Sequence, residues 1–164
     1  MLVQFHATLL SGLARVPGEW NDARFNNYVL EHGWRWLRRL PTDPRLWDMP
    51  AFFPAPDTAA YSDVLLSVAP PYWLLRAAGV PPHLAYELWL LVMATLNYAA
   101  AYVLLRRALR VGAAAASAGA FVFAFGASRG AQVLHPQLVP QFYPVAALYA
   151  LWRLFDADDA DAPD

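Results

Sequence analysis

The 164-residue sequence contains no cysteine and no lysine, and only 15% of its residues are charged, against roughly 25% in soluble domains. The missing cysteine excludes a disulfide scaffold, a zinc site built on thiolates and a catalytic thiol. All 12 basic residues are arginines and are dispersed along the chain, so we expect no basic face of the kind that binds nucleic acid. The low charge argues against a soluble globular domain.

Apolar and aromatic residues dominate what is present. Hydrophobic residues make up 59% of the chain, and the aromatic set comprises 7 Trp, 8 Tyr and 9 Phe. Most of the 14 prolines fall between apolar runs. Long apolar runs with aromatic residues near their ends are typical of membrane proteins, because tryptophan and tyrosine rings favour the headgroup region. We therefore predict an all-α integral membrane protein, for which the lipid bilayer is a partner.

Three apolar runs are predicted to be strong transmembrane helices. Residues 83–105 carry a single charge, Glu87, and their number matches the roughly 20 residues that cross a bilayer. Residues 111–128 are uncharged, and residues 139–155 follow a proline-rich stretch. The opening residues 1–16 are too few for a comfortable full span and are predicted to form a partial membrane segment.

Arginine in the short loops predicts the orientation. The basic residues between the first two strong spans are Arg106, Arg107 and Arg110. Short arginine-rich loops stay in the cytoplasm, so residues 17–82 and 129–138 are expected on the outer side of the membrane. Residues 156–164 then form a cytoplasmic tail, and their five acidic side chains predict disorder.

Residues 17–82 form a long outer loop that is more polar than the spans but remains rich in aromatic residues. Within it, residues 21–40 have apolar side chains at helical spacing and are followed by Pro41, which predicts a helix that rests on the membrane surface. Shorter helices are expected at residues 64–69 and 72–79. The loop is therefore predicted to be ordered and to lie against the headgroups.

Three acidic residues of this loop are candidates for chemistry, because a carboxylate beside the membrane suits general-base or metal-assisted transfer. Asp22 lies in the first turn of the predicted 21–40 helix, where it could instead stabilise the positive end of the helix dipole. Asp48 is also consistent with a turn or a salt bridge. Asp63 is also consistent with a cap on the helix at residues 64–69.

The outer loop of residues 129–138 supplies two cationic candidates. Arg129 and His135 could together hold a lipid phosphate, since a guanidinium group binds phosphate through paired hydrogen bonds. The alternative is an arginine that extends to the membrane surface beside an ordinary loop histidine.

The remaining polar and small residues are predicted to serve helix packing or to face solvent. Asn97 lies in the middle of the first strong span, where we expect an interhelical hydrogen bond or, alternatively, a place on a substrate path. Ala116 and Ala120 are small residues at four-residue spacing, which predicts close approach of a neighbouring helix. Glu31 and His32 point about 100° apart on a helix and are predicted to form a solvated face.

Several segments carry a family resemblance. They are NDARFNNYVLEHGWRWL, LWDMPAFFPAP, AYSDVLLSVAPPYWLLRAAG, LWLLVMATLNYAAAYVLLRR, GAFVFAFGASRGAQ and HPQLVPQFYPVAALYALWR. The order of parts is a hydrophobic start, an Asp at the beginning of a long outer loop, and closely spaced spans. The chain resembles the amino-terminal part of a bacterial C-type integral-membrane glycosyltransferase, and more specifically the YfhO-type multi-span proteins grouped near that superfamily. The resemblance covers nearly the whole chain.

The resemblance implies a multi-pass enzyme of the bacterial inner membrane. Such an enzyme transfers a sugar from a polyprenyl-phosphate donor to an acceptor on the outer face. It implies that Asp22 is the catalytic carboxylate, acting as a base or as the ligand of a divalent metal ion. Arg129 and His135 would bind the lipid phosphate, and Asp48 and Asp63 would be weaker candidates for substrate contact.

The resemblance also bears on length and on an alternative function. Relatives have many more spans, so this chain is expected to be a partial or truncated member, with a companion chain supplying the missing spans. The alternative is a non-catalytic multi-pass membrane module, an assembly or transport partner that uses its alanine-rich span for packing.

Overall fold

The computed structural model describes residues 2–17 and 19–160, and within these ranges the protein is all-helical, with 68% helix and no strand. This confirms the all-α prediction. The α-helices are α1 (Leu2–Leu10), α2 (Trp20–Leu37), α3 (Pro70–Ala77), α4 (Pro82–Val103), α5 (Ala113–Phe125), α6 (Ala127–Gln132) and α7 (Phe142–Ala160). Short 3-10 turns lie at Pro50–Phe52, Thr58–Tyr61 and Pro136–Leu138, and a π-helical turn, Leu104–Ala108, continues α4.

Helix α2 occurs where the spacing of apolar residues predicts a helix. It ends at Leu37, a few residues before Pro41, and Arg39 has a positive φ of 55° that turns the chain away. Helix α3 begins with two prolines, which are tolerated in a first turn because their missing N–H groups would have no partner there. It is followed by Gly79, whose φ of 84° favours glycine.

The helix expected at residues 64–69 does not form, and turns take its place. Leu65 has a positive φ of 54°, which a right-handed helix cannot contain. The carbonyl oxygen of Val68 accepts a hydrogen bond from Nε1 of Trp89 at 2.7 Å. The Val68 carbonyl therefore has its hydrogen-bond donor on α4, whereas the sequence pattern predicts a donor within a local helix.

Helix α4 is the centre of the core. It packs against α5, α7, α3 and α2, and its buried residues are 0–5% exposed. The largest of them are Tyr86, Trp89, Leu90 and Met93. Because one helix contacts most of the others, it brings together elements that are far apart in sequence.

In the part of the chain that the structure describes, one helix is long and apolar enough to cross a membrane, by length and composition. It is the 27-residue stretch Pro82–Ala108, which contains α4 and the π-helical turn. Only 33% of its most apolar 18-residue window is buried inside the protein. This candidate span corresponds to the predicted span at residues 83–105.

The predicted spans at residues 111–128 and 139–155 correspond to α5 and α7, but neither helix has the length and composition of a strong span. Helix α5 has 13 residues and is about 20 Å long, against about 30 Å of hydrocarbon. It stops at Gly126, where an added Cβ would lie 2.5 Å from the carbonyl oxygen of Val122. Three strong spans are therefore not shown.

Helix α7 begins after a proline and continues beyond its apolar residues. The helix begins at Phe142, after Pro140, and continues to Ala160 through acidic positions where disorder was expected. The rest of that tail, residues 161–164, lies outside the described residues. The apolar part of α7 is therefore shorter than the helix itself.

Small residues bring α5 close to α4. Ala116, Ala120 and Ala124 are 0–2% exposed, and α5 contacts α4 along its length. The predicted packing role is confirmed for Ala116 and Ala120, since side chains this small let two helix backbones approach each other.

Candidate functional site

A carboxylate and an imidazole meet where α2 begins. Nδ1 of His135 lies 2.7 Å from Oδ2 of Asp22, although the two residues are 113 positions apart in the sequence. Asp22 is in the first turn of α2, and His135 precedes the 3-10 turn Pro136–Leu138. The side chains are 34% and 53% exposed, respectively, so a substrate can reach both. Two of the residues selected from the sequence therefore lie side by side.

Asn26, one turn further along α2, joins the two segments that carry the pair. Its side chain is buried, and its Nδ2 donates to the backbone carbonyl of Asp22 at 2.8 Å and to Oε1 of Gln137 at 3.3 Å. Gln137 belongs to the same 3-10 turn that follows His135. The buried amide therefore fixes the separation of the carboxylate and the imidazole.

The contact gives the two ring nitrogens of His135 different roles. A carboxylate only accepts hydrogen bonds, so Nδ1 donates to Asp22 and the lone pair of the neutral ring is at Nε2. A carboxylate that orients an imidazole and stabilises its protonated form is the arrangement of a general-base pair. The pair can therefore accept a proton from a hydroxyl group at Nε2.

The divalent metal ion expected at Asp22 is not well matched by these donors. The described residues include no group of three or more His, Asp or Glu side chains that could hold a metal ion. Moreover, Oδ2 of Asp22 faces Nδ1 of His135, so these two groups contact each other instead of a common third point. We accordingly derive no step through a metal ion.

Two openings in the described part of the chain are lined by sequence neighbours of the pair, although not by Asp22 or His135 themselves. A cleft of about 550 Å³ lies between α1 and the α5–α6 bend, and a pocket of about 120 Å³ lies against the first turns of α2. Val16 lines both. The cleft also includes Leu134, the sequence neighbour of His135, and the pocket includes Ala23, the neighbour of Asp22. The two openings therefore border the segments that carry Asp22 and His135, and the lining of the larger one is mainly apolar.

Arg129 bonds to groups of α5 and α6. Its guanidinium donates to the carbonyl of Phe123 at 3.1 Å and to Oε1 of Gln132 at 2.6 Å, and it lies 4.5 Å from the centre of the Phe123 ring. Burial lowers the pKa of Arg129, but an arginine remains charged at physiological pH. These contacts brace the bend between α5 and α6.

Asp48 binds two other residues of the loop that contains it. It forms an ion pair with Arg45, and its Oδ1 accepts the backbone N–H of Asp57 at 2.8 Å. The two acceptor contacts hold together the proline-rich segment between these residues. This geometry matches the turn and salt-bridge alternative for Asp48.

Asp63 is exposed and follows the 3-10 turn Thr58–Tyr61. Because residues 64–69 form turns instead of a helix, Asp63 caps no helix there. The structure gives no contact that brings Asp63 to Asp22 or His135.

A buried network on α2 was missed by the sequence analysis. Glu31 was expected on a solvated face, but Arg76 binds its carboxylate through two hydrogen bonds of 2.7 and 3.0 Å. The hydroxyl of Tyr72 donates to the same carboxylate at 2.8 Å. Burial and the charge of Glu31 raise the pKa of Tyr72, so this hydroxyl remains protonated. The sequence signal for this network is the four-residue spacing of Tyr72 and Arg76, which places both side chains on one face of a helix.

His32 was also expected on a solvated face, and it is buried. Its Nδ1 lies 2.7 Å from Oδ1 of Asp43, and its Nε2 lies 2.9 Å from the carbonyl oxygen of Leu46. Both side chains of the His32–Asp43 pair are only 2% exposed. With both nitrogens engaged and no opening to solvent, this pair joins α2 to the following loop and is not a second reactive site.

Comparison with protein-family models, with curated proteins and with solved structures finds no match to this chain. The interpretation of the site therefore depends on its own geometry.

Proposed function

We propose that this chain is a membrane-embedded glycosyltransferase, or the amino-terminal part of one, in which Asp22 and His135 form the proton-accepting pair. The observation that carries the proposal is the 2.7 Å contact between their side chains, which are exposed enough to meet a substrate. The sequence resemblance supplies the reaction class. We assign the role of base to Nε2 of His135 and make Asp22 its orienting partner, because the two side chains are in contact.

The proposed reaction transfers a sugar from a polyprenyl-phosphate donor to an acceptor hydroxyl at the outer face. Nε2 of His135 accepts the hydroxyl proton as the acceptor oxygen bonds to the anomeric carbon, and the lipid phosphate leaves with the electrons of the broken bond. Asp22 stabilises the imidazolium that forms. The cleft beside Leu134 offers an apolar surface to the first part of the lipid chain. Arg129 would have to turn from Gln132 to contact the phosphate.

We propose a multi-pass location in the bacterial inner membrane, with α4 as the full span and α5 and α7 completing a bundle. The support is the apolar character of outward side chains on α5 and α7. Phe121, Val122, Leu148 and Leu151 are 49–66% exposed. A helix that is apolar all round is typical of burial in lipid or in a large core. The same faces would receive the spans of a companion chain.

A non-catalytic membrane module is the second candidate. The hydrogen bond from the buried Asn26 to Gln137 favours this second candidate, because it already joins α2 to the 3-10 turn Pro136–Leu138. The Asp22–His135 contact would then be a clasp, meaning a second contact that holds α2 against the same turn. In that case the pair would contribute to stability and not to turnover. Loss of the pair should therefore lower turnover if the chain is an enzyme, and should lower only stability if the chain is a non-catalytic module.

The test uses the full chain in proteoliposomes with a radiolabelled polyprenyl-phosphate sugar and membrane glycolipid acceptors. We expect Asp22→Asn and His135→Gln each to lower turnover by about 100-fold or more, in the range of general-base catalysis. Matched controls are Asp156→Asn and His83→Gln, both at exposed positions. Thermal unfolding of each variant separates the candidates. Unchanged turnover together with a lower melting temperature would refute the catalytic role and support the clasp.

A further inference from the structure

Four arginines at the end of α2 and in the loop after it form a positively charged surface, which we call the arginine patch. All four are exposed, and they are Arg35, Arg38, Arg39 and Arg45. The loop is held against α2, because His32 contacts Asp43 and the carbonyl of Leu46, which lie on either side of Arg45. Asp43 is the one acidic residue within positions 35–45, and it is buried.

Two members of the patch have no carboxylate partner within residues 2–17 and 19–160. Arg35 and Arg45 each pair with an aspartate, whereas Arg38 and Arg39 pair with none. The guanidinium carbon of Arg38 lies 5.8 Å from the centre of the Trp34 ring. A guanidinium that stacks on a ring keeps the N–H groups at its edge for an anion. Arg38 and Arg39 are therefore the members best able to bind a negatively charged group.

A groove of about 580 Å³ adjoins the patch. Arg39 belongs to its lining, and the rest of the lining is aromatic or aliphatic: Trp36, Leu37, Leu40, Pro41 and Pro44. Leu37 is 49% exposed although it is apolar. A ligand with its anionic group at Arg39 could continue along the groove as an apolar segment. This combination of charge and apolar surface matches a phospholipid, whose phosphate is joined through glycerol to acyl chains.

Hydrogen bonds place the middle of α2 beside the start of α4. Arg76 of α3 binds the Glu31 carboxylate at 2.7 and 3.0 Å and donates to the carbonyl of Val80 at 2.5 Å. Val80 lies two residues before Pro82, where α4 begins, and Arg35 follows Glu31 by about one helical turn. If α4 crosses the bilayer as proposed, the patch lies near the level at which α4 enters the headgroups.

The apolar face of α2 contacts protein. Ala23, Val29 and Leu30 are 1–5% exposed, and Nε1 of Trp73 donates to the carbonyl of Leu30 at 3.3 Å. A helix that lies on a membrane inserts its apolar face into lipid, but α3 and α4 pack against this helix. Attraction of α2 to the membrane therefore depends on the exposed charge at its end.

We propose that the arginine patch binds anionic phospholipid headgroups of the bilayer, with the groove holding the glycerol and upper acyl chain of one such lipid. Charge decides the occupant. The phosphate of a zwitterionic lipid carries its own cation, whereas the phosphate of phosphatidylglycerol does not. Guanidinium groups bind phosphate through paired hydrogen bonds, and each arginine beside an anionic surface adds to binding. The proposal uses the proposed bilayer position of α4 and is independent of sugar transfer.

The experiment places a fluorophore beside the patch. The sequence has no cysteine, so Thr42→Cys, at an exposed position outside the groove lining, can carry a single bimane label. The full chain is reconstituted in nanodiscs of phosphatidylcholine and phosphatidylglycerol. Bromine atoms that quench bimane are placed on one lipid or on the other. The ratio of the two quenching values gives the local preference for phosphatidylglycerol at constant lipid composition.

We expect phosphatidylglycerol to be favoured about fivefold or more, since one arginine beside an anionic surface is worth about fivefold in binding. The double substitution Arg38→Gln and Arg39→Gln should bring the two lipids close to equality. Replacement of both by lysine should retain most of the preference, because the charge remains. The control is the double substitution Arg15→Gln and Arg24→Gln, which removes two exposed arginines outside the patch and should leave the preference unchanged.

Equal quenching by the two brominated lipids, or a preference that survives Arg38→Gln and Arg39→Gln, would overturn the proposal. Loss of quenching by phosphatidylglycerol after addition of a trace of polyprenyl phosphate would also overturn it, because the patch would then hold the donor lipid. A second label at Val122→Cys tests the bilayer position separately, since Val122 of α5 is 66% exposed. Quenching there without quenching at position 42 would refute the patch alone and leave the arginines to an acidic soluble partner. Quenching at neither label would refute the membrane location in the proposed function.

Discussion

The polar residues of α2 reach different partners from one helix. Asp22 contacts the segment before α7, Glu31 contacts α3, and His32 contacts the loop that follows α2. The Asp22 and His135 side chains are 34% and 53% exposed, against 19% and 18% for Glu31 and Arg76 and 2% for both His32 and Asp43. Exposure therefore separates the candidate reactive pair from the residues that hold α2 in place, even though carboxylate and imidazole groups occur in both.

At the residue scale, the buried His32–Asp43 pair should contribute strongly to stability. Asp43→Asn leaves His32 with a weaker partner in a site that is 2% exposed on both sides. Removing one member of a buried pair costs about 3–5 kcal/mol, so the free energy of unfolding in detergent should fall by that order. Asp156→Asn serves as the exposed control. A loss below about 1 kcal/mol would contradict the structural role.

At the element scale, the bend between α5 and α6 depends on the absence of a side chain. In Gly126→Ala the new Cβ would lie 2.5 Å from the carbonyl oxygen of Val122, whereas a Cβ at Gly130 would meet nothing within 4 Å. We expect Gly126→Ala to destabilise the protein by about 1–3 kcal/mol, the size of local backbone strain. Gly130→Ala should be neutral or slightly stabilising. Equal melting temperatures for the two variants would contradict this account of the bend.

Asn97 connects α4 to the start of α7. Its Nδ2 donates to the carbonyl of Val139 at 2.7 Å, and its Oδ1 accepts the N–H of Gln141 at 2.8 Å. The expected hydrogen bond therefore joins α4 to the segment that precedes α7, and its partners are backbone groups outside a helix. Because Pro140 has no N–H, the Asn97 amide satisfies backbone groups that no helix turn satisfies there.

Replacement of Asn97 should loosen this end of α7 without removing the helix. In Asn97→Leu the amide of Gln141 loses its acceptor, so its hydrogen exchange should be about tenfold faster or more, the effect of about 1–3 kcal/mol. Thr95→Val is the control on the same helix, since Thr95 bonds only to Leu91 of its own turn. Exchange that is equal in the two variants would show that α7 is held by apolar contacts instead.

The sequence predicts the positions of the helices better than the contacts between them. Proline positions and apolar spacing are local signals, and they place α2 and α4 within a few residues. The bend at Gly126 depends on a backbone clash that no periodicity reports. The contacts of Asp22 with His135 and of Glu31 with Arg76 join distant segments, so sequence can nominate these residues but cannot pair them.

The candidate site and the arginine-rich turn lie at opposite ends of α4, and Asn97 makes further polar contacts between them. The Asp22–His135 pair, the Glu31 network and the small pocket gather around its first turns, and the alanine-lined contact with α5 follows further along. The three arginines Arg106, Arg107 and Arg110 are exposed at the opposite end. If α4 crosses the bilayer, every group of the candidate site lies toward one side of the membrane.

This separation predicts a measurable topology, and the absence of native cysteine makes single-cysteine labelling free of background. Ser62→Cys and Ser128→Cys should react with an impermeant maleimide in intact spheroplasts. Leu109→Cys and Asp156→Cys should react only after permeabilisation, because α4 and α7 place them across the bilayer. All four are exposed positions, so labelling in detergent is the control for accessibility. Release of the wild-type chain by alkaline carbonate, or equal labelling of all four sites in intact cells, would exclude a spanning α4.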